Sequence, residues 1–193
     1  MQRALFWPTI AVTLLSAGVA TADDSLNGTY SFVGLQMCLT APGGFKEDSK
    51  GNSTIPIGET NFGLVTSQGQ IVYNGDGTGK GTQTFVTVVP INPHGAAVSG
   101  GTASFEFTYA RESDQVYRMT LKPGSYQGTL DAGPNAGEQF SVDTGSRLLR
   151  VSNDRKHVSL AIARPYLEKI TFSGSSDPVP RVCTWIGNQS RAD

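Results

Sequence analysis

Few side chains in this sequence are equipped for chemistry. The 193 residues include two histidines, His94 and His157, and two cysteines, Cys38 and Cys183. A zinc site needs three or four converging ligands, and no ligand-spaced pattern of His and Cys is present. No metal and no cofactor is therefore expected. There is also no G-x-S-x-G elbow, which leaves a Ser-His-Asp nucleophile without a sequence signature. The stretch NGDGTGKG, from Asn74 to Gly81, imitates a calcium loop, with Asn74, Asp76 and Thr78 at alternate positions and a glycine sixth. The position that should carry the bidentate glutamate is Phe85, so the stretch reads instead as a glycine turn between strands.

One carboxylate stands apart. Glu168 shares an alternating face with Tyr166, Ile170 and Phe172. If that face points inward, burial among aromatics raises the carboxyl pKa, and Glu168 with Tyr166 becomes a candidate acid or base pair. If it points outward, Glu168 is a surface residue beside Lys169. His157 follows Arg155 and Lys156 at a strand start, and His94 sits in a proline-bounded loop; both read as exposed residues.

The elements that must carry these side chains are strands. Apolar residues recur at every second position between clusters of Gly, Asn, Asp and Pro, and helix signals are scarce. Strands are expected over 28–40, 60–64, 70–73, 82–89, 102–109, 117–121, 127–130, 139–142, 148–152, 157–163, 167–172 and 181–186. Ser67-Gln68-Gly69 reads as a tight turn, Asn153-Asp154 as a hairpin, and residues 41–57 and 90–101 as loops. In the first strand Tyr30 and Phe32 mark one face before Gly34, while Leu35, Met37 and Leu39 mark the other after it. A glycine at such a change of face predicts a bulge or bend.

The chain begins Met1-Gln2-Arg3, continues with an apolar run over 4–19 and reaches Ala20-Thr21-Ala22. That pattern predicts a secretory signal peptide over 1–22, cleaved after Ala22, and one exported domain over 23–193, secreted or periplasmic. No other segment is apolar enough to cross a bilayer as a helix. In an oxidising compartment the two cysteines predict a Cys38–Cys183 disulfide. Such a bond requires Cα atoms within about 7 Å, which makes the first and last strands neighbours. The expected fold is an all-β, single antiparallel barrel of roughly eight to ten strands, favoured over a sandwich because closure removes the exposed edges. A formal net charge of −1 excludes a general electrostatic partner such as nucleic acid or an anionic membrane.

The sequence LNGTYSF resembles the opening of lipocalins and other calycins, where a Gly-x-Trp motif begins the first strand; Gly28-Thr29-Tyr30 stands at that place, with Tyr for Trp. The resemblance implies that Arg181, in RVCTWIG, packs on that aromatic. The layout is also similar to the cofactor-free barrels of the allene oxide cyclase and dirigent type. The leading expectation is a barrel that binds a small apolar molecule inside, against Phe105, Phe107, Tyr109, Tyr117, Met119, Tyr166 and Phe172. The alternative is a cofactor-free cyclase or isomerase using Glu168 and Tyr166 in a dry pocket. A third is an extracellular or envelope interaction protein acting through residues 41–57 and 90–101.

Overall fold

A computed structural model describes residues 26–41, 43–47, 49, 53–91, 95–161 and 166–192. The leader expected over 1–22 and His94 lie outside them. The described residues form strands β1 (Asn27–Thr40), β2 (Phe45–Glu47), β3 (Ser53–Pro56), β4 (Asn61–Asn74), β5 (Thr78–Ile91), β6 (Gly95–Ser113), β7 (Val116–Leu121), β8 (Tyr126–Ala132), β9 (Gln139–Asp143), β10 (Arg147–Val151), β11 (His157–Ala161), β12 (Tyr166–Phe172) and β13 (Val179–Arg191). None of them is helical.

Eleven strands make one antiparallel sheet, and β2 and β3 pair separately. Eight of the eleven, in the order β1-β4-β5-β6-β7-β10-β11-β13, close into a ring through the β1–β13 pairing. The remaining three form a second arc, β8-β9-β12, spanning between β6 and β13. Gly100–Ser104 of β6 pairs with β8, while Phe107–Ser113 pairs with β7. In the same way 179–183 of β13 pairs with β12, and 186–190 pairs with β11. One side of the wall is thus built twice, one arc beyond the other along the barrel.

Cys38 and Cys183 sit opposite each other in the β1–β13 ladder and are joined, with Cα atoms 4.2 Å apart. The bond closes a separation of 145 residues. In the chain-entropy account a loop that long contributes about 5 kcal/mol. The antiparallel barrel and its disulfide clasp are as the sequence predicts.

Three local expectations are corrected. β4 runs unbroken through Ser67-Gln68-Gly69, laddered to β1 on one side and β5 on the other. Gly69 marks a close approach of strands there, since a Cβ on it would lie 2.0 Å from the Thr82 carbonyl oxygen. Gly34 is not at a bulge: both ladders of β1 pass it without a shift, and Tyr30, Phe32, Gln36 and Cys38 keep one buried face. The glycine is required because the Trp185 ring lies over it, 2.5 Å from where a Cβ would stand. The regions read as loops hold strands: β2 and β3 form a hairpin, β5 continues to Ile91, and β6 starts at Gly95.

The same pairing of ring and glycine recurs in the barrel. Phe107 covers Gly79, Phe105 covers Gly81, Phe85 covers Gly101 and Phe140 covers Gly128, each across a ladder. A ring over a bare cross-strand backbone shields that backbone and lets the wall curve tightly. In the half closed by β7, β10 and β11 the interior is solid, with Tyr30, Tyr73, Phe107, Met119, Leu149 and Leu160 at most 2% exposed. Tyr73 is at the centre of this cluster, edge-on to Tyr30, Phe107 and Tyr109 at 5.2 to 5.4 Å.

Candidate functional site

Three of the buried polar residues, Gln36, Arg147 and Glu168, gather where the two arcs meet, while Gln189 accepts from the Tyr73 hydroxyl in the packed half. β12 places Glu168 on its inner face, 1% exposed, directly opposite Arg181 of β13. Arg181 donates from Nε to Glu168 Oε1 at 2.5 Å and from a terminal nitrogen to the same oxygen. Gln36, inward on β1 between Phe32 and Cys38, donates from Nε2 to Glu168 Oε2 and to the Tyr166 hydroxyl, both at 3.1 Å. Both carboxylate oxygens are therefore engaged. On the facing wall Gln83 of β5 donates to the hydroxyl of Tyr126 on β8 at 2.5 Å.

A second guanidinium enters from β10. Arg147 is 7% exposed and lies 4.7 Å from the centre of the Trp185 ring. That cation–π contact is favourable, but the Arg147 Nε has no hydrogen-bond partner among the described residues. No described carboxylate pairs with Arg147. The charge of Arg147 nevertheless reaches the two phenols of the site. Burial pushes Tyr126 up to about 12, with Glu168 adding to the rise and Arg147 and Arg181 opposing it. Tyr166 is raised for the same first reason, burial, with Arg147 opposing. Two guanidiniums and one carboxylate thus act on the same two phenols, leaving an excess positive charge in a partly dry setting.

Below this cluster the interior changes character. The inward-facing Phe85, Phe140, Ile170 and Phe172 are only half-buried, although Phe85 and Phe140 meet edge-on at 5.6 Å and Phe140 and Phe172 pack in a tilted pair at 6.3 Å. Phe140 and Phe172 also line an open groove of about 1160 Å³ that crosses β8, β9 and β12 and continues over β6, β5, β4 and β1. Its other side chains are almost all Ser, Thr and Gln, among them Gln70, Thr82, Ser104 and Gln127.

The residues singled out in the sequence are divided between the halves. Phe105, Phe107, Tyr109, Tyr117 and Met119 are all 7% exposed or less and belong to the packed cluster. Phe172 lies in the other half at the groove, and Tyr166 and Glu168 share Gln36 at the seam. Glu168 does face inward, but into an ion pair. Arg181 bonds Glu168, whereas the Tyr30 hydroxyl donates to the Arg155 carbonyl oxygen at 2.6 Å. The calcium-like stretch is a turn: Asp76 accepts from the Thr78 amide at 2.9 Å and hydroxyl at 2.6 Å, and these bonds lower its pKa. His157 is exposed at the start of β11, as expected. Among the described residues no three of His, Cys, Asp and Glu cluster as metal ligands, and no helix is long and apolar enough to cross a membrane.

Sequence reasoning missed Gln36 and Arg147. Each carried a signal in its strand parity: Gln36 alternates with Phe32 and Cys38, and Arg147 with Leu149 and Val151, so each polar residue occupies a core-facing register. No family model and no curated protein matches this chain.

Proposed function

We propose that this chain is an exported binding barrel that takes a small molecule with an apolar body and a single anionic group. The observation that carries the proposal is Arg147, a buried guanidinium with no described carboxylate partner, acting on the same phenols as Glu168, whose carboxylate is already neutralised by Arg181. A buried charge is costly unless paired, and a ligand carboxylate would pair it. The half-buried Phe85, Phe140, Ile170 and Phe172 supply apolar contacts in the same half, in keeping with pockets whose walls are apolar and whose polar groups are few. The apolar-ligand expectation is thereby kept in its class and moved out of the packed half. Binding is favoured over isomerase chemistry because Glu168 has both oxygens engaged and is poorly placed to take a proton. The leader pattern over 1–22 and the disulfide support export.

The test is titration of the protein with a fluorescent long-chain carboxylate and with the matching neutral alcohol. Saturable binding of the acid, roughly 10-fold or more tighter than of the alcohol, is expected from a charge-assisted hydrogen bond. Arg147→Met should bring the acid down to the alcohol's affinity and leave the alcohol unchanged. Equal affinities in the native protein, or no saturable binding of either probe, would overturn the proposal.

A further inference from the structure

The outer face of the barrel carries an uncovered apolar field. The ladders set Thr184, Met37, Leu64, Val88 and Val98 side by side across β13, β1, β4, β5 and β6. All five point away from the core, opposite in parity to Cys38 and Gln36. In neighbouring rows Ile186 is 54% exposed, Phe62 52% and Val86 46%, and in the central row Val98 is 53% exposed. Over these five strands no outward position from 33–39, 62–68, 84–88, 98–102 or 182–188 is charged. Scattered single apolar residues on a surface need no explanation, but a contiguous uncharged field does.

We infer that this face is where a second copy of the chain docks. Five strands about 4.8 Å apart, with three or four outward residues per strand about 7 Å apart, give a footprint of roughly 600 Å². Two such faces together come to about 1,200 Å², the lower end of the range for specific, stable interfaces. A field that is largely apolar and uncharged throughout, with Thr66, Gln68, Thr84, Thr102, Thr184 and Asn188 as its polar members, complements itself, so a twofold contact sets apolar against apolar without needing a matched partner surface. The absence of charge fits the apolar centre of a homodimer interface and gives a differently charged protein nothing to select. A membrane-spanning barrel would need an apolar girdle all the way round. The outward positions of the other arc are instead polar, with Gln127, Asp131, Gln139, Asp143 and Lys169 among them.

Sedimentation velocity of the exported, disulfide-intact protein, across about a 100-fold concentration range, tests this inference. A dimer or a higher closed oligomer is expected, and Met37→Glu or Val86→Lys should each convert it to monomer with an unchanged far-UV spectrum and a melting temperature that no longer depends on concentration. A wild-type protein that stays monomeric throughout overturns the proposal, as does an oligomer that survives both substitutions. Co-flotation of wild type with neutral phosphatidylcholine vesicles, without self-association, would assign the face to a lipid surface and likewise overturn it.

Discussion

Glu168 and Arg181 stand opposite each other on β12 and β13, and both contacting nitrogens of the arginine converge on one carboxylate oxygen. The second oxygen is free to take Gln36 from β1. Three strands are thereby tied through a single buried carboxylate, next to the ladder position where Cys38 and Cys183 tie two of them covalently.

Removing one partner should cost much more than removing both. Glu168→Leu leaves the Arg181 guanidinium without its counter-charge, and an unfolding free-energy loss of about 3 kcal/mol is expected. The double variant Glu168→Leu with Arg181→Met should recover most of that loss, because a pair of apolar residues needs no compensation. Denaturant titration of both single variants and the double variant measures the difference. Additive losses would show that the two side chains act independently.

Gly34→Ala places a methyl group 2.5 Å from the Trp185 ring. The ring must move, and Trp185 is also the surface on which Arg147 rests. A loss of about 1–3 kcal/mol is expected from overpacking, with a change in the near-UV circular dichroism of tryptophan. An unchanged spectrum and midpoint would mean that the ring is not seated on this glycine.

The buried phenols make the fold sensitive to alkali. Burial raises Tyr126 to about 12 and raises Tyr73, Tyr109 and Tyr166 as well. Unfolded tyrosine ionises near pH 10. Below that pH the protonated phenols contribute their full stability; above it the unfolded chain loses protons that the folded chain retains, and stability falls as pH rises towards 12. Phenolate absorbance should therefore appear late, together with loss of the β-sheet signal. Ionisation of these tyrosines near pH 10 in a still-folded protein would contradict their burial.

What could be read in the sequence was what alternation and elimination determine. Phe105, Phe107 and Tyr109 announced a core-facing strand by their period of two, and two cysteines had only each other to pair with. Glycines were harder to read because their cause lies on another strand. Gly34 answers to Trp185, and Gly69 to the backbone of Thr82, neither of which is near in sequence. The division of β6 and β13 between two partners was not legible for the same reason: an unbroken strand gives no sign that its two ends pair differently. Of the site, Glu168 and Tyr166 could be named from their face, but their engagement by Gln36 and Arg181 depended on register between β1, β12 and β13.

The doubled wall also sets an order of opening. With β8, β9 and β12 detached, the ring of eight strands still closes through its own pairings, and of those three strands only Tyr126, among the described residues, packs against the aromatic core. Amide hydrogens in that arc are therefore free to exchange with solvent through a partial opening, whereas those at the centre of β1, β4 and β5 wait for global unfolding. The barrel has a hatch whose hinges are β6 and β13, and opening it parts Glu168 on β12 from Gln36 on β1 and Arg181 on β13.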